Sequence, residues 1–253
     1  MPVVDFSLAG KTVIVTGGSR GIGRAIAIGM GEAGANVVIG ARKPESLEEA
    51  TKAVEATGAK ALGVVTNVRD MDSLSNLVAE SKRAFGRVDV LVNNAGTNPV
   101  HGPAATIDER AWDAVMNTNL KAVFFLSKLA REAILEHGEG GSVINISSTG
   151  GLRAGSGLGV YSISKAGLLM LTRVLASEWG ADGIRVNSIA PGVIETEFSR
   201  PLWDKPGGGA TGGKGLGRIG TPEEIAGAAV YLASPAASFI TGATILADGG
   251  ALA

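Results

Sequence analysis

A glycine-rich loop between an apolar run and an amphipathic segment constrains the fold of this chain more than any other feature. Residues 12–16 form the apolar run, the glycines follow within 17–23, and Ile22, Ile26 and Met30 recur on one helical face. This order is typical of a buried strand, a tight turn and a helix. Glycines let the main-chain N–H groups of such a turn approach a pyrophosphate, and the helix N-terminus attracts the same charge. The junction therefore predicts a dinucleotide site. Its expected lining residues are Gly17, Ser19, Arg20, Gly21, Ile22 and Gly23.

The same alternation of apolar runs and helical patterns continues to the end of the chain. Further strands are predicted at 36–40, 61–66, 88–93, 142–147, 184–189 and 243–247. Helices are predicted at 45–57, 71–85, 108–137, 161–180 and from the capping sequence at 221–224 to 233. Continuous Val, Ile and Leu runs are typical of parallel strands that are covered on both faces. We therefore expect one doubly wound α/β domain of the Rossmann type over residues 1–253, with a parallel sheet of about seven strands and helices on both faces.

One segment, residues 201–217, interrupts this pattern because it contains two prolines and seven glycines. So many glycines disfavour a regular helix. We interpret the segment as a mobile flap that orders over a substrate. A surface loop with no role is the alternative.

Composition excludes several classes of partner. The chain has 23 basic and 24 acidic residues and a formal net charge of -1, so no excess of positive charge draws nucleic acid or an anionic membrane. No apolar run approaches the length of a membrane span, which is about 20 residues. The sequence contains no cysteine, and its two histidines, His101 and His137, lack the spacing of metal ligands. We expect a soluble cytoplasmic protein without a bound metal.

The residues after the second predicted strand indicate which dinucleotide is bound. NAD sites usually carry an acidic residue there to hold the ribose hydroxyls, but this chain has Ala41 followed by Arg42 and Lys43. Together with Arg20, Arg42 could hold a 2′-phosphate through charge-assisted hydrogen bonds. The sequence therefore favours NADP(H). The alternative is that Arg42 and Lys43 are only solvated loop residues.

Four motifs in order resemble those of the short-chain dehydrogenase/reductase family. They are TGGSRGIG at 16–23, NNAG at 93–96, Tyr161 to Lys165 with three residues between them, and Pro191-Gly192. Any one of them could arise by chance, since a Tyr and a Lys four residues apart are ordinary helix neighbours. Their order and spacing extend the resemblance over nearly the whole chain.

Tyr161 and Lys165 suit the reduction of a carbonyl group, which needs a proton for the developing alkoxide. Free tyrosine has a pKa of about 10, and we expect the lysine one turn away to stabilise the phenolate and lower that pKa. Tyr161 is then the acid/base. The resemblance implies that Lys165 also holds the nicotinamide ribose.

The resemblance also implies two further catalytic residues. A serine thirteen positions before the tyrosine binds the substrate oxygen, which gives Ser148, with its neighbour Ser147 as the alternative. An asparagine on the long central helix steadies a water that leads to the lysine, which gives Asn119, with Asn117 nearby.

The remaining cofactor contacts are likewise implied by the resemblance. Asn67 and Val68 would lie beside the adenine, and Asn93, Ala95 and Gly96 beside the adenosine ribose, although Asn93 and Asn94 could instead brace the sheet. The residues implied beside the nicotinamide carboxamide are Pro191, Gly192, Val193, Ile194 and Thr196.

Much of the resemblance is to 3-oxoacyl carrier-protein reductases, whose docking surface is basic. This chain has Glu139 and Asp182 at the corresponding positions, which we expect to repel an acidic carrier. A small free ketone, aldehyde or alcohol is therefore the preferred substrate, and carrier-protein reduction is the alternative. A catalytically silent NADP(H)-binding sensor is a further hypothesis. Family members with these elements are usually homotetramers, and we expect the same assembly here.

Overall fold

The structure, a computed structural model, describes residues 4–100, 102–155, 157–204 and 215–253. Seven strands in this part of the chain pair in parallel in the order β3-β2-β1-β4-β5-β6-β7, which confirms the predicted parallel sheet. The strands are β1 (Thr12–Thr16), β2 (Asn36–Ala41), β3 (Ala61–Val65), β4 (Val90–Asn93), β5 (Gly141–Ile146), β6 (Ile184–Pro191) and β7 (Thr244–Ala247).

Helices follow the strands and cover both faces of the sheet. They are α1 (Gly21–Glu32), α2 (Pro44–Glu55), α3 (Met71–Phe85), α4 (Glu109–Met116), α5 (Ala122–Leu135), α6 (Gly159–Trp179), α7 (Arg200–Trp203) and α8 (Pro222–Ala233). None of the helices in the described ranges is long and apolar enough to cross a membrane.

Alternate residues of the strands supply two separate apolar cores. In β1, Val13 and Val15 pack with α1, α2 and α8 on one face, whereas Ile14 packs with α3, α5 and α6 on the other. Both sides of each central strand are therefore buried, which explains why these strands are continuous apolar runs rather than alternating ones.

The helix predicted at 108–137 differs from the observed structure in one respect. A π-helical turn, Asn117–Lys121, separates α4 from α5. A π turn holds one more residue than an α turn, and such turns are frequent at functional sites. The apolar periodicity of 108–137 did not reveal it, because the buried positions keep a helical spacing across the turn, at Val115, Thr118, Asn119, Ala122 and Val123.

The segment 201–217 is only partly covered by the described residues. Its first residues are helical, contrary to expectation, because Pro201 lies in the first turn of α7, where a proline costs no hydrogen bond. At the other end, the N–H of Leu216 donates to the carbonyl of Gly249 (2.7 Å). The glycines between them, in 205–214, lie outside the described residues, and the flap stays a prediction.

Candidate active site

The glycine loop is held at the carboxyl edge of the sheet by the residues that follow β4. The Nδ2 of Asn94 donates to the carbonyls of Thr16 (2.9 Å) and Gly17 (3.2 Å). The hydroxyl of Thr16 in turn accepts from the N–H groups of Asn94 (3.1 Å) and Ala95 (3.2 Å). Sequence reasoning considered Asn94 only as a possible brace of the sheet and overlooked Thr16. A polar residue at the end of an apolar strand was the available signal.

Three glycines make this loop possible. Gly17 and Gly21 have positive φ angles of 64° and 52°, which residues other than glycine rarely adopt. A Cβ on Gly23 would lie 2.3 Å from the Nδ2 of Asn94 and 2.4 Å from the carbonyl oxygen of Gly17. Gly23 is therefore required by close packing at the start of α1.

The N-terminus of α1 is open to an anion. Arg20 is its N-cap residue but makes no side-chain capping bond, and the first turn carries no acidic residue. The N–H of Gly17 donates to the carbonyl of Gly40 (2.7 Å), which ties the loop to the end of β2. Arg42 and Lys43 follow β2 and are exposed, as is Arg20. Basic groups thus flank the helix N-terminus, as the NADP(H) prediction requires.

The residues expected near the adenine lie at the end of β3. Asn67 is exposed, and its Oδ1 accepts from the N–H of Arg69 (3.2 Å) in a local turn. Val68 is half-buried against the core formed with α3. Asn67 therefore keeps part of its accepting capacity for another donor, and its contact with adenine stays a prediction.

The side chain of Asn93 is committed to the sheet. Its Nδ2 donates to the hydroxyl of Ser127 (3.0 Å) and to the Oδ1 of Asn145 (2.9 Å), and the residue is 3% exposed. The bracing alternative therefore describes this side chain, and contact with a ribose is left to the neighbouring main chain. Ala95 and Gly96 are more accessible than Asn93.

The two serines that follow β5 have different partners. The buried hydroxyl of Ser147 donates to the carbonyl of Lys165 (3.1 Å). The hydroxyl of Ser148 accepts from the N–H of Gly150 (3.0 Å), and Ser148 lies close enough to Tyr161 to lower the pKa of its phenol. Ser147 is bound to the main chain of α6, whereas Ser148 acts on the Tyr161 phenol, which favours Ser148 over Ser147 for the role of binding a substrate oxygen.

Tyr161 and Lys165 occupy successive turns of α6. The Nζ of Lys165 lies 5.7 Å from the centroid of the Tyr161 ring and donates to the carbonyl of Ile146 (2.7 Å). Burial lowers the pKa of Lys165 to about 8. Burial also raises the pKa of Tyr161, and the hydrogen bond with Ser148 lowers it by less. The pKa of Tyr161, which Lys165 was expected to lower, is thus raised by burial.

Asn119 lies inside the π turn Asn117–Lys121 and is fully buried. Its Oδ1 accepts from the N–H of Thr97 (2.8 Å), and its Nδ2 donates to the carbonyl of Thr97 (3.0 Å) and to the hydroxyl of Ser164 (3.0 Å). Asn117, the alternative, lines a surface groove instead. Asn119 therefore connects the loop after β4 to the helix that carries Tyr161.

The loop after β6 reaches the glycine loop. A Cβ on Gly192 would lie 2.9 Å from the Cα of Asp248, so only glycine fits after Pro191. The methyl group of Thr196 lies 3.2 Å from the position of a Cβ on Gly21. The residues expected beside the nicotinamide are thus brought against the loop expected to hold the pyrophosphate.

Beyond this point the chain turns back over Tyr161. The hydroxyl of Ser199 donates to the carbonyl of Ile194 and accepts from the Nε1 of Trp203 (3.1 Å), which fixes the start of α7. The ring of Phe198 lies 6.1 Å from that of Tyr161, centroid to centroid, and is 45% exposed. Phe198 is an apolar wall of the site that sequence reasoning did not identify.

Glu139, one of the two acids expected to repel a carrier protein, is paired with cations. Glu139 accepts from Arg87 (2.6 Å) and Lys11 (3.1 Å), which lower its pKa to about 2. His137 and Asp89 lie in the same cluster, and the side chain of His137 is 14% exposed. Since Arg87 and Lys11 bind both carboxylates, we assign the cluster as an ion-pair network and not as a metal site.

Asp182 is likewise paired, with Arg131 (2.5 Å). Neither acid therefore presents an uncompensated negative charge. The argument that these residues repel an acidic carrier is weaker than the sequence indicated.

Comparison with known proteins agrees with this site. A family model described as Enoyl-(Acyl carrier protein) reductase matches residues 17–251. Dehydrogenase/reductase SDR family member 4 of Oryctolagus cuniculus is 39% identical over 246 residues, which cover 96% of this chain and 94% of the relative. A candidate short-chain alcohol dehydrogenase from Sinorhizobium meliloti 1021 has a TM-score of 0.93 and 38% identity, with 98% of each chain covered. A candidate NAD(P)-dependent gluconate 5-dehydrogenase from Beutenbergia cavernae, with NADP bound at low occupancy, has a TM-score of 0.91 and 39% identity over 98% of this chain and 99% of its own.

The chain belongs to the short-chain dehydrogenase/reductase family. The resemblance deduced from its motifs is confirmed. It is accordingly an oxidoreductase of the kind that transfers hydride with a nicotinamide cofactor.

Gly23→Ala should destabilise the protein, because the new methyl group would displace Asn94 and the carbonyl of Gly17. We expect the free energy of unfolding to fall by about 1–3 kcal/mol, the usual range for an overpacked site. Urea denaturation measures it. Gly29→Ala on the same helix is the matched control, since its Cβ would make only an ordinary 3.5 Å contact with Ala226. Equal denaturation midpoints for the two variants would contradict the assigned role of Gly23.

Proposed function

We propose that this protein interconverts a small carbonyl compound and its alcohol with NADP(H), with Tyr161 as the acid/base. The observation that carries the proposal is the meeting of Ser148, Tyr161 and Lys165 at the carboxyl edge of the sheet. In open α/β sheets this edge, where the strand order reverses between β1 and β4, is where ligands bind.

The residues present fit a dinucleotide. The glycines at 17, 21 and 23 pack closely against Asn94, Ala95 and Thr196 without side chains of their own, and α1 begins without a capping side chain for its first N–H groups. The pyrophosphate would lie there, and the basic pair Arg20 and Arg42 would receive a 2′-phosphate. Asn67 and Val68 would flank the adenine, and Pro191, Gly192, Ile194 and Thr196 the nicotinamide. When bound, the nicotinamide supplies or accepts the hydride.

The chain's own residues provide the proton and the orientation. The hydroxyl of Tyr161 stays protonated at neutral pH because burial raises its pKa, so it can donate a proton to a carbonyl oxygen. Ser148, which lies close enough to Tyr161 to lower its pKa, would orient the same oxygen. The ammonium group of Lys165 lies near enough to stabilise the phenolate that forms.

The wall formed by Phe198 supports a substrate with an apolar or aromatic group beside its carbonyl. Leu152, which is 47% exposed and follows the turn that begins at Ser148, is a second apolar side chain close to the site. Burial of such surface contributes about 25 cal/mol per Å² to binding. A small ketone or aldehyde is therefore the proposed substrate.

Reduction of a carrier-bound 3-oxoacyl group is the second candidate. Two ion-pair groups support this candidate: Glu139 pairs with Arg87 and Lys11, and Asp182 pairs with Arg131. Each acid together with its cationic partners carries little net charge, so neither group would repel an acidic carrier. Carrier and free substrates should therefore be assayed side by side.

The proposed assembly is a homotetramer, as in similar family members. Exposed apolar side chains that an interface could cover include Phe124 and Phe125 on α5 and Met170 and Val174 on α6. Phe239, which is fully exposed, is another.

Arg42→Ala should raise the Michaelis constant for NADPH by about 10- to 100-fold, because it removes a charge-assisted hydrogen bond to the 2′-phosphate. The constant for NADH should change little. Steady-state kinetics with both cofactors measure the effect, and Arg83→Ala, an exposed arginine on α3, is the control. A wild type that prefers NADH, or an unchanged constant for NADPH, would refute the cofactor assignment.

The rate of reduction should depend on pH through Lys165. Because its pKa is about 8, the amine is charged below that pH and loses its charge as the pH rises. Tyr161, whose pKa is raised, stays protonated over the same range. We therefore expect kcat/KM for reduction to fall above about pH 8, by roughly tenfold per pH unit. A profile that stays flat from about pH 7 to 10 would contradict the role of Lys165.

Tyr161→Phe should lower turnover by about 10²- to 10⁴-fold and leave NADPH binding intact, since it removes only the proton donor. The assay uses a panel of aliphatic and aryl ketones, a keto acid and an acyl carrier-protein thioester. Tyr231→Phe is the matched control. Tyr231 is the only other tyrosine of the chain, and it lies on α8 and packs against Phe6.

Each outcome of this assay has a distinct meaning. Activity confined to the thioester would establish the carrier-protein alternative. A wild type that binds NADPH but reduces no member of the panel would favour the silent sensor.

A further inference from the structure

Ser164 lies between Tyr161 and Lys165 on α6 and is fully buried. Its hydroxyl donates to the carbonyl of Tyr161 (2.7 Å), as a serine within a helix often does. The same oxygen also accepts from the Nδ2 of Asn119 (3.0 Å), which belongs to a different helix. The second bond is not needed to form α6, so a purely local role does not account for it.

The two bonds of Ser164 fix the orientation of the Asn119 amide. Because the hydroxyl hydrogen points to Tyr161, the oxygen can only accept from Asn119, and the amide must present its NH₂ group to it. The Oδ1 then faces the N–H of Thr97, from which it accepts (2.8 Å). One hydrogen of Nδ2 is donated to the carbonyl of Thr97 (3.0 Å) and the other to the hydroxyl of Ser164.

In this orientation the amide oxygen of Asn119 borders a space that the Nζ of Lys165 also borders. A Cβ placed on Gly96 would lie 3.5 Å from the Oδ1 of Asn119 and 3.7 Å from the Nζ of Lys165. The two polar atoms therefore border the same small space. The π turn that holds Asn119 places its side chain between the loop at Thr97 and helix α6.

We propose that Ser164 is a positioning residue for the reaction: it holds the amide of Asn119 in one orientation and ties it to the main chain of Tyr161. The chain of bonds runs from Thr97 through Asn119 and Ser164 to Tyr161, so the cofactor loop and the acid/base move as one unit. The catalytic part of this proposal rests on the proposed function, and the hydrogen-bond chain does not.

Ser164→Ala tests the proposal, because it leaves one hydrogen of Nδ2 without an acceptor and releases the carbonyl of Tyr161. We expect kcat for reduction to fall by about tenfold through misplacement of the acid/base, with KM for NADPH within about twofold of wild type. Exchange of the Thr97 amide hydrogen, followed by NMR with nitrogen-labelled threonine, should become about tenfold faster.

Ser81→Ala is the matched control. Ser81 is a fully buried helical serine whose hydroxyl also bonds within its own helix, to the carbonyl of Leu77 (2.7 Å), but it lies on α3 away from the site. It should alter neither kcat nor the exchange of Thr97.

The two readouts separate the ways in which the proposal can fail. Wild-type exchange at Thr97 in Ser164→Ala would overturn the hydrogen-bond chain, and faster exchange with an unchanged kcat would overturn its catalytic role. Absence of carbonyl reduction in the wild type would reject the proposed function, whereas the exchange rate of Thr97 would still decide whether Ser164 restrains Asn119.

Discussion

The site depends on the hydrogen bonds between Asn94 and the end of β1. Strands β1 and β4 are neighbours at the point where the strand order reverses, and their following loops diverge to leave a crevice. Asn94 closes the base of this crevice by binding the carbonyls of Thr16 and Gly17. The loop can then expose its N–H groups on the open side. Gly23 is constrained by the same contact, since Asn94 occupies the space of its Cβ.

Burial has opposite effects on the pKa values of the two central groups. It raises the pKa of Tyr161 and lowers that of Lys165, so it favours the uncharged form of each. In the proposed reduction a protonated tyrosine is the required form, whereas the lysine would act only while it carries its charge. A pKa of about 8 leaves most of the amine charged at neutral pH. The site thus keeps both groups protonated under ordinary conditions, without the lowered tyrosine pKa that the sequence suggested.

The sequence predicted those features that depend on local pattern. Continuous apolar runs predicted the parallel strands, and the glycines after Thr16 predicted the loop. That loop hydrogen-bonds to Gly40 of β2 and to Asn94 after β4. The Tyr161 to Lys165 spacing gave one face of α6, but spacing alone could not separate Ser148 from Ser147. That choice depends on which hydroxyl approaches Tyr161, and thus on the packing of the turn after β5 against α6.

Long-range pairing explains most of what the sequence did not reveal. Glu139 looked like a free surface acid because Lys11 is 128 residues away in the chain. The bond between Asn119 and Ser164 spans 45 residues and depends on one extra residue in a helical turn. Neither pairing leaves a periodic signal in the sequence.

Two groups of buried hydrogen bonds hold α6, one at Thr172 and one at Ser164. In the first, the Nδ2 of Asn93 donates to the Oδ1 of Asn145, whose own Nδ2 donates to the hydroxyl of Thr172 (2.9 Å). In the second, Asn119 donates to Ser164, near Tyr161. Buried polar groups tolerate few alternative arrangements, because each unpaired group costs about 1–3 kcal/mol. Apolar packing alone would let α6 slide or rotate by small amounts, whereas these contacts, together with the bonds of Lys165 with Ile146 and Ser147, restrain its position on the sheet. Tyr161 therefore takes its position from the sheet below it as well as from its own helix.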